Sequence, residues 1–151
     1  GEIVMAYVDQ SVIDDVRAEL KVLNKKYGMK ATASGKGTSS LTITISAGPL
    51  DFLSQIKSYY EARNYKYNGQ SIYVKDWQEL KGQHFNHYHD EDKYTGKEQE
   101  YLKEIKRIVY KHHWDDSDLM TDYFSCAYYI HIQFGKWNKA YKCTKENQVY
   151  E

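Results

Sequence analysis

Three stretches of the chain repeat apolar residues with the period of an amphipathic helix. In the first, the apolar positions follow one another at steps of three or four residues: Val12, Val16, Leu20, Leu23 and Tyr27. That spacing places them on one helix face. The same periodicity recurs over 52–63 and 102–112. We predict that the three helices start at Ser11, Pro49 and Thr95, which are residue types that favour a helix N-terminus.

Residues 39–47 alternate between apolar and polar side chains, as a half-buried β-strand does. Leu41, Ile43 and Ile45 point to one side, and the hydroxyl-bearing residues between them point to the other. Residues 29–34 form a second predicted strand, and the glycine-rich turn that follows joins the two strands in a hairpin.

The longest alternating pattern covers residues 123–134. Its even-numbered positions form the predicted core face, so Tyr129 and His131 point to the opposite side. The polar, histidine-rich residues 83–92 show no such period and are predicted to form a loop.

These elements predict an α+β fold with two layers. About three amphipathic helices pack on one face of a largely antiparallel sheet of four or five strands. The length fits a single domain over residues 1–151. Within it, we expect residues 1–4 to be a non-native extension before Met5 and residues 145–151 to be a mobile polar tail.

Composition narrows the classes of function. Lys and Arg total 21, as do Asp and Glu, so the net charge of zero argues against attraction of the whole surface to nucleic acid or to an anionic membrane. Two cysteines cannot form a disulfide framework. No apolar run reaches membrane-spanning length. We therefore predict a cytoplasmic protein that does not associate with membranes.

Tyrosine is the most unusual component, with 16 residues. Tyrosine offers a large contact area with a polar tip, and it is enriched where proteins bind one another. We predict a partner-binding surface from two aromatic groups and their neighbours: Tyr59, Tyr60, Tyr65, Tyr67 and Trp77, and Tyr129, His131, Lys136 and Trp137. A neutral aromatic surface is also compatible with a homodimer.

Two stretches carry a resemblance to a known group of domains. The first runs from Val16 to Pro49, and the second combines residues 117–124 with the Gly-Lys-Trp-Asn-Lys-Ala-Tyr segment at 135–141. Together they resemble small domains found beside and inside the large polyvalent proteins of phages and conjugative elements. The resemblance implies an α+β module that acts in a bacterial host cell. It further implies binding to a host protein complex, for instance to inhibit a defence system, and it transfers no catalytic residues.

Two alternatives remain open. In the first, the outward aromatic residues stack on single-stranded nucleic acid while Lys136, Lys139 and Lys142 contact phosphates. In the second, the chain is a metal-dependent hydrolase, and the candidate ligands share imidazole or carboxylate chemistry: His84, His87, His89 and Asp115. The favoured interpretation is a binding protein without a cofactor.

Overall fold

The helices and strands come from a computed structural model that describes residues 6–63, 66–67, 70–71, 77–114 and 127–145. In chain order they are α1 (Gln10–Tyr27), β1 (Lys30–Ser34), β2 (Ser40–Gly48), α2 (Phe52–Arg63), β3 (Lys66–Tyr67), β4 (Gln70–Ser71), β5 (Gln83–Phe85), a 3-10 helix (Asp90–Lys93), α3 (Gly96–Tyr110), β6 (Tyr129–Phe134) and β7 (Lys142–Cys143). The predicted extension at 1–4 and nearly all of the predicted tail lie outside the described residues.

One sheet contains five of these strands, and a short hairpin contains β3 and β4. The sheet order is β1-β2-β6-β5, and β7 pairs with the last residues of β2. β1 is antiparallel to β2, and β5 is antiparallel to β6. The central pair, β2 and β6, is parallel. The predicted α+β fold is thus confirmed, with a mixed sheet rather than a purely antiparallel one.

The helices bury their apolar faces against one side of this sheet. α1 contributes Ile13, Val16 and Leu20, while α3 contributes a longer row of buried residues: Tyr101, Leu102, Ile105, Ile108 and Val109. They share one core with the inward residues of the sheet: Ala31, Ala33, Leu41, Ile43, Ile45, Phe85, Ile132 and Phe134. The two predicted layers are therefore present, and the polar side of the strands faces away from the helices.

α2 supplies the centre of an aromatic cluster within this core. The Phe52 ring lies 4.7 Å from that of Phe134 and 5.4 Å from that of Tyr141, measured between centroids. The Tyr94 ring meets Phe52 edge-on at 5.8 Å. Phe52 thereby ties α2 to β6 and to the segment that leads into β7.

Two of the three helix starts differ from the predicted ones, whereas Thr95 is the N-cap residue of α3 as predicted. α1 is capped by Asp9, whose carboxylate accepts the backbone N–H of Val12 at 3.0 Å and the hydroxyl of Ser11 at 2.6 Å. α2 begins at Phe52 and not at Pro49. Aspartate competes well with serine for the cap position because its charged oxygen accepts more strongly.

The predicted loop over 83–92 is a further correction, because it contains β5 and the 3-10 helix. β5 is too short for its alternation to stand out from a polar sequence. It forms because Phe85 is buried against Phe134, at 6.1 Å between centroids. None of the helices in the described ranges has the length and apolarity needed to cross a bilayer.

Candidate partner-binding face

We use the name open face for the side of the five-stranded sheet that lies opposite the helices. Its side chains come from β1, β2, β6 and β5: Thr32, Thr42, Thr44, Ser46, Tyr129, His131, Gln133 and His84. They alternate with core residues along each strand, which is why they share one side. No helix among the described residues packs on this face.

Aromatic rings occupy one part of the open face. The Tyr129 side chain is 53% exposed at the start of β6. Two residues later, the His131 ring stacks on that of His84 from β5, with 5.1 Å between centroids and 13° between planes. Partial burial and the neighbouring His131 lower the pKa of His84. His84 therefore favours its neutral form near neutral pH.

Polar contacts hold these side chains in place. Gln133 donates its side-chain amide to the Thr44 hydroxyl at 3.0 Å, from β6 to β2. The amide oxygen of Gln133 lies 3.3 Å from Nε2 of His131. Fixed side chains lose little conformational entropy when a partner docks on them.

The charges of the chain are segregated around the open face. Residues 30–48 and 127–145 supply four of the five sheet strands, and they contain no aspartate or glutamate. β5 carries no charged residue either. The same two segments contain six lysines: Lys30, Lys36, Lys136, Lys139, Lys142 and Lys145. Because the whole chain is neutral, the remaining residues carry six net negative charges.

A tight turn presents two of these lysines beside the open face. Backbone hydrogen bonds of 2.7 and 3.1 Å join Lys136 and Lys139. Trp137 lies between them and is 83% exposed. The two lysines line a cleft of about 430 Å³, and the other wall carries hydroxyl groups of the open face, from Thr44 and Ser46 among others. The cleft thus combines cationic groups with hydroxyl groups.

Gly135 fixes where this turn begins. Its φ of +67° lies in the left-handed region, which residues other than glycine adopt only with strain. A Cβ atom at this position would lie 2.6 Å from the Leu80 carbonyl oxygen and 2.6 Å from the Tyr141 nitrogen. Only glycine therefore lets the chain leave β6 and return to β7 at this point.

The other predicted aromatic group lies elsewhere. Tyr59 and Tyr60 are half-buried on α2, which belongs to the helical layer. The Arg63 guanidinium stacks over the Tyr59 ring at 3.8 Å, and the Lys93 ammonium donates to the Tyr60 hydroxyl at 2.8 Å. These rings already contact cations of the same chain.

The rest of that group does not extend the surface. Trp77 packs partly buried against the core, and its carbonyl accepts a hydrogen bond from the Lys57 ammonium. Tyr65 and the side chain of Tyr67 lie outside the described residues. Within the described parts of the chain, the structure does not bring the two predicted aromatic groups together.

The predicted metal ligands are likewise separated. His84 lies on the open face, whereas His87 is buried and its Nδ1 shares a hydrogen bond with the Tyr110 hydroxyl of α3. His89 is exposed beside Asp90, at 3.3 Å, and Asp115 lies outside the described residues. Where the structure is described, no three His, Cys, Asp or Glu side chains are grouped to hold a metal ion.

Three features of this surface were missed by the sequence patterns. The sequence patterns predict His84 only as a candidate metal ligand, although it belongs to a strand that pairs with β6. Tyr7 is 56% exposed, and its N–H donates to the carbonyl of Ala127, two residues before Tyr129. The absence of acidic residues from 30–48 and 127–145 is visible in the sequence, but it gains meaning only when these segments pair.

The class that the fold defines is a two-layer α+β domain with an open, cation-bordered sheet face. No family model matches the chain, and no curated protein or solved structure matches it either. The open face itself is therefore the basis for inferring a function.

Proposed function

We propose that this protein is a non-catalytic binding module that engages an anionic partner through the open face. The observation that carries the proposal is the segregation of charge: six lysines and no carboxylate side chain in the two segments that supply most of the sheet. A neutral chain with randomly distributed charges would place acidic residues on that face as well. A face of one sign attracts partners of the other sign and repels wrong ones.

The sheet face is a better binding surface than the edge of the sheet. On the edge strand β1, the carbonyls of Ala31 and Ala33 accept hydrogen bonds from Asn24 and Arg17 of α1, at 3.0 and 3.1 Å. Side chains that occupy the acceptors of an edge strand oppose the addition of a further strand. A partner that uses side-chain contacts on the open face meets no such obstacle.

The origin of the partner rests on the resemblance to phage and conjugative-element domains. The resemblance supports a partner from a bacterial host, such as an acidic surface of a defence complex, and a cytoplasmic location. Both stay predictions, as does the homodimer. Trp137 supports a macromolecular partner. Its side chain is 83% exposed, and tryptophan is among the residue types most enriched at binding hot spots.

A matched pair of charge reversals tests the proposal. The first protein carries Lys136→Glu and Lys139→Glu, and the control carries Lys21→Glu and Lys25→Glu on the exposed side of α1, so both change the net charge equally. Binding of fluorescent polyglutamate and of a fluorescent single-stranded oligonucleotide is measured by anisotropy at several salt concentrations. We expect at least one polyanion to bind with affinity that falls as salt rises, and only the first pair to abolish it.

Two results would contradict the proposal. One is that neither polyanion binds at low salt. The other is that the control pair weakens binding as much as the open-face pair, because this would mean that net charge and not the open face is responsible. Circular dichroism and thermal unfolding of both variants establish that they are folded.

A further inference from the structure

We infer that the partner of the open face is single-stranded nucleic acid, with bases stacked on Tyr129 and Trp137 and phosphates beside Lys136 and Lys139. This inference rests on the proposed function, and it names the partner of the same face. Lysines alone would serve an acidic protein equally well. The arrangement of the rings is what favours nucleic acid.

The two exposed rings lie at opposite ends of β6. Tyr129 begins the strand, and Trp137 follows its last residue by three positions. At about 3.3 Å per residue, the strand separates its first and last residues by roughly 17 Å. Bases stack on exposed aromatic rings whatever their sequence, because every base has a π-face.

The stacked imidazoles of His131 and His84 add two further rings to the open face. The His131 and His84 rings are 13° from parallel, and both strands that carry them belong to the sheet. Single-strand-binding sheets use aromatic side chains on neighbouring strands as stacking platforms. These rings offer stacking contacts to a base that the carboxylates of an acidic peptide cannot use.

The cleft that Lys136 and Lys139 line suits the backbone of such a strand. Thr32 lines it with a hydroxyl group, and Lys136 and Lys139 line it with cationic side chains. Thr44 is buried and the Ser46 hydroxyl already donates to the Lys30 carbonyl, so these two are not counted as donors. Phosphate oxygens accept hydrogen bonds from both kinds of group. In a duplex the bases are stacked on each other and unavailable to the rings, so a single strand is favoured.

The experiment removes the rings and leaves the charges. An oligonucleotide of about 12 thymidines or uridines, within the usual range of site sizes, is titrated into the protein and into Tyr129→Leu and Trp137→Leu. We expect each variant to bind about tenfold more weakly, which corresponds to about 1.4 kcal/mol. Quenching of tryptophan fluorescence by the oligonucleotide should also be reduced in Trp137→Leu.

Two controls separate loss of stacking from loss of structure. Tyr129→Phe keeps the ring and should bind like the original protein. Tyr88→Leu removes a ring that is 68% exposed and contacts His87, whose Nδ1 shares a hydrogen bond with Tyr110 of α3, so it should also bind normally.

The outcomes distinguish this inference from the proposed function. If the oligonucleotide and polyglutamate bind equally and the leucine variants bind like the original, the face recognises charge only, and the inference is overturned while the proposed function stands. Equal affinity for duplex and single strand would overturn it as well. If neither polyanion binds, both proposals fail together.

Discussion

Acid should destabilise this protein through His87. The side chain is 7% exposed in the segment between β5 and the 3-10 helix, and its Nδ1 shares a hydrogen bond with the Tyr110 hydroxyl. Burial, reinforced by nearby His113, His84 and Lys106, lowers the pKa of His87 to about 4. The native structure therefore holds a neutral imidazole well below the pH at which a free histidine is protonated.

The sign and size of the effect follow from proton linkage. In the unfolded chain, His87 takes up its proton with a pKa of about 6.5, whereas in the folded protein it does so at about 4. The protein therefore has its full free energy of unfolding above about pH 6.5, and this free energy falls as the pH drops from about 6.5 to 4. At pH 5 the loss in the free energy of unfolding is about 2 kcal/mol.

The assay is urea unfolding followed by circular dichroism, at pH 7.5 and at pH 5. We expect His87→Gln, which cannot be protonated, to show a smaller loss between the two pH values than the original protein, by about 2 kcal/mol. His89→Gln is the matched control, since it removes an exposed histidine from the same segment. If the original protein and His87→Gln lose the same free energy, the buried neutral histidine is not the cause of acid sensitivity, and the reasoning is refuted.

Two further predictions concern packing around β6, and thermal or urea unfolding measures both. Gly135→Ala should cost more than about 2 kcal/mol, because it combines a positive φ with contacts below 3 Å to backbone atoms. Gly37→Ala, where φ is +76° but the space is open, should cost only about 1 kcal/mol, so equal losses would contradict the steric argument. Phe52→Ala should cost about 3–5 kcal/mol, since the ring is fully buried among four aromatic rings. A loss below about 1 kcal/mol would show that this cluster does not anchor α2.

The alternation along the strands was a sound guide to which side chains are buried. Ile132 and Phe134 are fully buried and Tyr129 is exposed, as the period of two requires. The direction of the strands could not be read in the same way, because alternation is identical in parallel and antiparallel sheets. β6 lies parallel to β2 after a connection that includes α2 and α3, and a connection of that length permits either direction.

Helix positions were predicted better than helix starts. The buried rows of α1 and α3 follow the predicted spacing. Capping depends on a single side chain, and a second residue able to cap the helix can lie only one or two positions away. Asp9 and Ser11 both fit a cap, and the structure uses the first. Thr95 precedes α3 without a side-chain cap, and the carboxylate of Glu98, which lies at capping-box spacing from it, accepts the N–H of Asp51 at 3.3 Å instead. Tertiary contacts decide such cases.

The net charge was the least informative sequence feature for the candidate site. A total of zero argued against a polyanion, yet the total does not describe how charges are distributed over a fold. Pairing of β2 with β1, β6 and β7 brings together two segments, about 80 residues apart in the chain, that both lack carboxylates. Electrostatic attraction over short distances depends on the local face, because salt screens charges beyond about 8–10 Å. The acidic residues elsewhere in this neutral protein would therefore not cancel the local attraction that the proposed binding of an anionic strand requires.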